Sequence, residues 1–317
     1  MIRSKSPEAV NEKGKRMKDG LLAAEAAKIG IELTQRQLEQ FARFYYLVLE
    51  RNKKFNLTAI TDERDFIVKH FIDSLYVLKL TDELGITRRE NDRANETETE
   101  ITFIDIGSGA GFPGIPLAIA RPEIMMTLLE ANRKKVGFMT EAAELLKLGG
   151  ITCVRARAEE AGRLPSMREY FDVAVGRAVA PLRVLAEYCL PFVKAGGFFF
   201  AYKGPDAAAE ASQAEGMIKE LGGVITDVRP TFAGLVGFKS ELHGFKTCSP
   251  KHPAPVGLKS ELHGFKTCSP KHSGPVEDAP GGLDALRHHI VVIKKVSKTP
   301  GVYPRANKKI VGGAHAT

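Results

Sequence analysis

Apolar side chains recur every three or four positions through Leu38, Phe41, Tyr45 and Val48, the period of one buried helix face. Thr34 with Gln37 three residues later forms a capping box and predicts where that helix begins. A polar connection at 52–61 follows. Asp62 can cap a second helix whose stripe is Ile67, His70, Phe71, Ser74, Leu75 and Leu78. Residues 87–100 carry no apolar period and are rich in Arg, Asn, Glu and Thr, which reads as an exposed linker. Beyond the linker the period changes. The run at 103–106 is short, apolar and β-branched, as a buried strand requires, and 117–120 reads as the start of a helix. Strands are then expected at 125–130, 151–155, 171–175, 197–202, 224–228 and 289–294. Helices are expected at 133–148, 182–193 and 207–221. This alternation predicts a doubly wound, mostly parallel α/β sheet.

Five stretches emerge from this reading. Residues 1–20 form a disordered basic tail, 21–86 an N-terminal helical subdomain and 87–100 the linker. Residues 101–298 form the α/β domain, and 299–317 a second basic tail whose Gly and Pro content reads as mobile. The chain has 317 residues, 44% apolar and 26% charged, enough to bury a full core. No apolar run approaches the roughly 20 residues that span a bilayer. The N-terminus lacks the apolar core of a signal peptide. A cytoplasmic protein with no membrane partner is the expectation. The net charge of +8 favours polyanionic partners.

One stretch breaks the alternation. Residues 237–256 return almost unchanged at 257–276, a tandem repeat of 20 residues with three substitutions. Each copy spaces His, Cys and His alike: His243, Cys248, His252, then His263, Cys268, His272. Two copies could in principle supply a tetrahedral zinc site, but the paired knuckles of a structural zinc module are missing. A duplicated surface loop is the simpler reading, with no metal. Cys153 and Cys189 sit in apolar surroundings and read as reduced core residues rather than a disulfide framework.

Chemistry concentrates where the first predicted strand ends, at Asp105-Ile106-Gly107-Ser108-Gly109-Ala110-Gly111-Phe112-Pro113-Gly114. Four glycines in eight positions mark a tight turn that something approaches closely. Strand, glycine loop and helix together place a ligand at the C-terminal edge of a parallel sheet. Gly109, Gly111 and Gly114 spell Gly-x-Gly-x-x-Gly, and Glu130 ends the next strand where an acid can hold a ribose. Alone, these residues fit either NAD or S-adenosylmethionine. Arg133, Lys134 and Lys135 tip the balance toward the methyl donor. They place cations at a helix N-terminus, where the macrodipole disfavours them by roughly 0.3–1 kcal/mol, and so suggest a ligand or polyanion nearby. Arg177 follows the strand at 171–175 and is expected to project into the crevice above the sheet. Asn56 reads as an Asn that fixes its own loop. For His70 and Ser74, packing explains the residues as well as substrate contact does. Glu159 could equally be an ordinary acid at a helix start.

Several motifs in this order resemble a known family. They are Asn56-Leu57-Thr58, His70 with Asp73-Ser74, the glycine loop through Gly114-Ile115-Pro116, Arg157-Ala158-Glu159-Glu160, and Gly176-Arg177-Ala178. Tyr202-Lys203-Gly204, Arg287-His288-His289 with the strand after it, and Tyr303-Pro304-Arg305 complete the series. The chain is similar, over roughly 30–236 and 284–306, to the bacterial small-subunit rRNA guanine-N7 methyltransferases (RsmG, also called GidB). The repeat at 237–276 departs from that pattern, as does Ala306, where the family commonly has another Arg.

The resemblance implies a Rossmann-like S-adenosylmethionine-dependent methyltransferase fold with an N-terminal helical subdomain. It implies methyl transfer to N7 of guanine 527, in the 530 loop of 16S rRNA, either free or within the small subunit, by a monomer. It also implies cofactor contacts from Gly107, Gly109, Gly111, the backbone of Phe112, Glu130, and Ala158 with Glu159 beside the adenine. Arg177 would lie near the methionine end and the target base, with Lys134 and Lys203 as further catalytic candidates. Lys134, Arg157, Arg177, Lys203 and Arg305 would hold RNA. Two other readings stay open on sequence: a non-catalytic RNA-binding module that keeps the cofactor, and an NAD-dependent oxidoreductase.

Overall fold

A computed structural model describes residues 17, 19–86, 100–177, 180–231 and 288–312. The tandem repeat lies wholly, and the linker and the N-terminal tail as assigned above largely, outside the described residues, as do 313–317 of the second tail. The chain opens with α1 (Asp19–Lys28) and α2 (Gln35–Asn52). The predicted capping box is present at α2: the Thr34 side chain accepts from the Gln37 amide, and Gln37 reaches back to Thr34. Its stripe Leu38, Phe41, Tyr45 and Val48 is buried. Asp62 caps α3 (Glu63–Phe66) through the Asp65 amide. The chain then winds into a π-helical segment, Ile67–Ile72, before α4 (Asp73–Glu83). That wide turn was not foreseen from periodicity.

Seven strands form one sheet: β1 (Thr102–Ile106), β2 (Met125–Glu130), β3 (Ile151–Arg155), β4 (Phe171–Arg177), β5 (Val193–Lys203), β6 (Gly223–Pro230) and β7 (His289–Lys295). Their order is β3-β2-β1-β4-β5-β7-β6. The first five run parallel, while β7 lies antiparallel between β5 and β6. This is the Rossmann-like methyltransferase arrangement the resemblance implied. The crossover helices are α5 (Gly114–Ala120), α6 (Arg133–Leu146), α7 (Ala158–Ala161), α8 (Leu182–Cys189) and α9 (Ala207–Glu220). A 3-10 turn, Leu190–Phe192, replaces the end of the expected 182–193 helix, where Pro191 removes a backbone donor. The short α10 (Asn307–Gly312) closes the described chain.

The sheet divides the interior in two. One face shares its apolar cluster with α1, α2, α4, α5 and α6: Phe41, Phe71, Phe103, Ile115, Phe138, Val175 and Tyr202 belong to it. The other packs Ile104, Leu185, Phe192, Phe199, Ile218 and Tyr303 beneath α8 and α9. The N-terminal helices thus form a third layer continuous with one sheet face.

Two sequence readings are corrected. The helix after the glycine loop begins at Gly114, not at Leu117. The Gly114 amide donates to Asp105 Oδ2 at 2.9 Å, and a Cβ there would lie 2.2 Å from Leu128 Cδ2. The chain after Lys298, read as mobile, is instead tied down through Arg305. Arg168 donates to the carbonyls of Thr299 and Tyr303 at 2.7 Å each, and Tyr303 Oη donates to Glu220 at 2.6 Å. Buried Lys295 donates to the Leu190 carbonyl and the Thr299 hydroxyl. Captured carbonyls hold a Gly- and Pro-rich strap as firmly as a regular element would.

Candidate functional site

Strand β1 has β2 on one side and β4 on the other, and the crossovers leave to opposite faces of the sheet. The gap beyond its C-terminal end is therefore the topological switch point, where α/β folds bind ligands. The glycine loop fills its floor. Gly107, Gly109 and Gly111 adopt φ of 73°, 59° and 89°, a region that L side chains avoid. At Gly111 a Cβ would also strike Ile115 Cδ1 at 2.4 Å. At Gly109 the nearest atom to such a Cβ is the Gly107 carbonyl at 3.9 Å, so bare backbone faces open space.

Glu130 ends β2 beside this loop. One of its oxygens accepts from the Asn132 amide at 2.8 Å, the other from the Gly109 amide at 3.1 Å. A carboxylate held at a strand end over exposed loop backbone suits the vicinal hydroxyls of a nucleoside. The residues present therefore fit an adenosine-containing cofactor. Ala158 and Glu159 open α7 just beyond β3, whose Arg155 lies in register with Glu130. They sit at the same sheet edge, half-buried. Glu159 also occupies the first helical turn, as the plainer reading required. The amides of Gly107 and Phe112 are already used, donating to Leu129 and Ser108 carbonyls. Only their carbonyls are left for a ligand, which narrows the implied backbone contacts.

Asp105 lies beneath the loop, fully buried. Oδ2 takes the Gly114 amide, and Oδ1 has no hydrogen-bond partner. Burial pushes its carboxyl up to about 7, while the Gly114 amide and the Arg177 charge pull the other way. The carboxyl is thus poised to keep its proton near neutrality.

Arg177 ends β4 on the face toward the N-terminal helices. Its guanidinium lies over the Phe112 ring at 5.3 Å, and Nη2 donates to His70 Nδ1 at 3.1 Å. Nη1 reaches the Lys69 carbonyl at 3.4 Å and lies 3.5 Å from Asp73 Oδ2. Its Nε has no partner among the described residues. Asp73, buried at the start of α4, also accepts from Thr231 Oγ1 at 2.9 Å and meets His288 Nδ1 at 3.0 Å. On sequence, packing and substrate contact explained His70 equally well, and Asp73 and His288 stood only within motifs. The structure joins all three to Arg177. Their proximity was hidden because they come from α4, the residue before β7 and the π segment, which meet only in three dimensions. Ser74 goes to packing: its carbonyl accepts from Tyr202 Oη at 2.8 Å.

The other predicted cations separate into two groups. Lys134 and Arg157 are exposed, at the first turn of α6 and just before α7. Asn132 caps α6 by accepting from the Lys134 and Lys135 amides. Lys203 and Arg305 are committed elsewhere. Lys203 Nζ, at the end of β5, donates to the Ala180 carbonyl at 2.9 Å and pairs with Glu210 at 2.7 Å. Glu210 in turn accepts from the Leu182 amide at 2.7 Å. Lys203 is therefore committed to Ala180 and to Glu210 of α9 rather than presenting a free cation. Arg305 makes a fork against the buried carboxylate of Glu187 in α8, across the sheet from Arg177. Asn56 is exposed, and Asn52 fixes that loop instead, bonding the Leu57 and Thr58 amides and the Thr58 carbonyl.

Sheet order, switch-point loop and strand-end carboxylate define an α/β enzyme of the S-adenosylmethionine-dependent methyltransferase class. A family model described as rRNA small subunit methyltransferase G (GidB) matches residues 37–229. The Ribosomal RNA small subunit methyltransferase G of Caldanaerobacter subterraneus subsp. tengcongensis is 38% identical over 293 residues, which cover 92% of this chain and 95% of that one. That of Pelotomaculum thermopropionicum is 46% identical over 203 residues, 64% of this chain and 79% of its own. This chain belongs to the rRNA small subunit methyltransferase G family. The nicotinamide reading, which rested on glycine spacing and Glu130 alone, is thereby set aside. Among the described residues no helix is long and apolar enough to cross a membrane.

Proposed function

We propose that this protein methylates N7 of one guanine in 16S rRNA, guanine 527 of the 530 loop. The observation that carries the reading is the meeting of the Gly109–Glu130 cradle and Arg177 at one switch point, in a chain of this family. S-adenosylmethionine supplies, when bound, an electrophilic methyl on a positively charged sulfur. In this reading Glu130 holds the ribose hydroxyls, and Ala158 and Glu159 flank the adenine. The bare backbone of Gly109 and the carbonyls of Gly107 and Phe112 line the cradle, with Gly111 setting the turn. Arg177 offers Nε–H to the guanine O6 edge or to the methionine carboxylate.

Guanine N7 carries a lone pair and no proton. The new N–C bond forms as the C–S bond breaks, and the electron pair of that bond stays on sulfur. No general base is needed, so the protein's contribution is orientation, which can lower a barrier by roughly 7–11 kcal/mol. N7 lies in a groove of A-form RNA too narrow for side chains, so the target is unpaired or opened on binding. Lys134 and Arg157 take RNA phosphates, Lys203 anchors the chain at Ala180, and Arg305 contributes to RNA only through its outer edge. A single chain suffices, working in the cytoplasm.

Incubation with methyl-labelled S-adenosylmethionine and 16S rRNA, naked or in small subunits at each assembly stage, tests the assignment. Label in 16S rRNA is expected, and none at any stage overturns it.

A further inference from the structure

We propose that His70 is a positioning residue for methyl transfer: its neutral imidazole accepts a hydrogen bond from Arg177 and fixes the direction of the guanidinium. The inference rests on the reading of Arg177 as the group that holds the target base or the methionine end. It starts from hydrogen-bond arithmetic. An arginine only donates, so His70 Nδ1, 3.1 Å from Nη2 of Arg177, must be the acceptor. The ring proton then sits on Nε2 and is donated to Thr58 Oγ1 at 2.7 Å. Thr58 Oγ1 is itself held by the Ile60 amide at 3.0 Å. One tautomer satisfies every contact, and an imidazolium would set an N–H against an N–H.

The ring cannot turn away from this pairing. It stacks on Phe112 with centroids 4.6 Å apart and planes 15° from parallel, and it meets the edge of Phe66 at 4.7 Å. Phe112 also lies under the Arg177 guanidinium, so one ring of the glycine loop supports both partners. His70 sits within the π-helical segment, a widened turn often found at functional sites. The titratable and charged groups that face it are Arg177, Asp73 and His288. Burial, with the Arg177 charge, pushes its imidazole down to about 3, in keeping with a neutral acceptor throughout the working range. Asp73 balances the charge of Arg177, whereas His70 and the Lys69 carbonyl set its direction. Among the described residues Nε has no partner, which leaves it for substrate.

Two substitutions separate this role from simple packing. In H70N the amide oxygen falls near the place of Nδ1 and can still accept from Arg177. In H70Q the longer chain reaches Thr58 and leaves Arg177 without its acceptor. With cofactor affinity unchanged by calorimetry, kcat on 16S rRNA should fall about tenfold, the worth of one well-placed hydrogen bond to a charged group, in H70Q. H70N should stay within about threefold of the wild type. In an Arg177→Ala background the two should become equal. Equal kcat for H70N and H70Q with Arg177 present, or a larger loss in H70N, overturns the proposal. Should either variant fail to fold, nitrogen NMR of labelled histidine in the wild-type protein decides. At ~pH 5.5, a unit below the ordinary histidine value of ~6.5, Nδ1 should be bare and Nε2 protonated; a protonated Nδ1 overturns it. A wild-type protein that labels no rRNA would count instead against the functional reading.

Discussion

Replacing Asp105 by Asn should change how stability depends on pH, in a direction the two buried titrating groups dictate. Asp105 holds its proton up to about 7 in the folded protein, against ~3.9 in an unfolded chain. Between those values the native state binds one proton more than the unfolded state. Stability therefore falls as pH rises across that window, by ~1.4 kcal/mol per unit and ~4 kcal/mol in all. His70 works in the opposite sense. It stays neutral down to about 3, so the unfolded chain binds the extra proton between there and ~6.5, and stability rises with pH at the same slope. From roughly pH 4 to 6.5 the two slopes cancel in the wild type. The amide introduced by Asp105→Asn keeps an oxygen for the Gly114 amide but has no proton to lose. Urea unfolding of the cofactor-free protein at half-unit steps from about pH 4.5 to 7.5 measures the effect. The stability of D105N minus that of wild type should climb by ~1.4 kcal/mol per unit and level off near pH 7. All other groups titrate alike in both proteins and drop out of the difference. Parallel curves would refute the reasoning, because they would mean that Asp105 ionises in the fold as it does in water.

Three further substitutions test the division of labour among the cations. Arg177→Ala should lose most turnover while the protein still folds, since Asp73 retains Thr231 and His288; wild-type turnover with labelled cofactor rejects its role. Lys134→Ala should weaken RNA binding and lower the log–log salt slope by about one, and a slope unchanged in filter-binding titrations contradicts a phosphate contact. Among the described residues, Arg305→Ala leaves buried Glu187 with only the residue 305 amide as donor. It should cost about 3 kcal/mol, the low end for a broken buried pair, with kcat little changed. A calorimetric melting temperature equal to wild type, or a collapse of kcat without destabilisation, would contradict this.

Elements whose signals are local were legible in the sequence. Thr34 with Gln37 and Asp62 marked helix starts because a cap is a bond between near neighbours, and β3 follows from a run rich in β-branched residues. The switch-point loop was legible for a related reason: its glycines answer to positive backbone φ that residues with side chains rarely adopt. What failed depended on distant partners. Gly114 opens α5 because Asp105 and Leu128 leave it no room for a side chain, a fact of packing rather than of propensity. Arg305 looked like a free cation because Glu187 lies 118 residues away in sequence. Lys203 looked catalytic because its neighbours in the fold, the Ala180 carbonyl and Glu210, are not evident from its neighbours in the chain. The strap after Lys298 read as mobile because Arg168 captures its carbonyls from more than 130 residues away. His70 carried the weakest signal of all. A histidine among Phe66, Phe71 and Phe112 is ordinary core until the Arg177 side chain is placed against it.

The central claim is methyl transfer to a ring nitrogen that needs positioning and no base. Nuclease digestion and mass spectrometry of 16S rRNA treated with this protein and isotope-labelled S-adenosylmethionine test it most directly. The account predicts labelled 7-methylguanine, at one position, in wild-type reactions and its near absence with Arg177→Ala. Label on an exocyclic amine, a ribose hydroxyl or a protonated ring nitrogen would contradict it, because each of those reactions must also dispose of a proton.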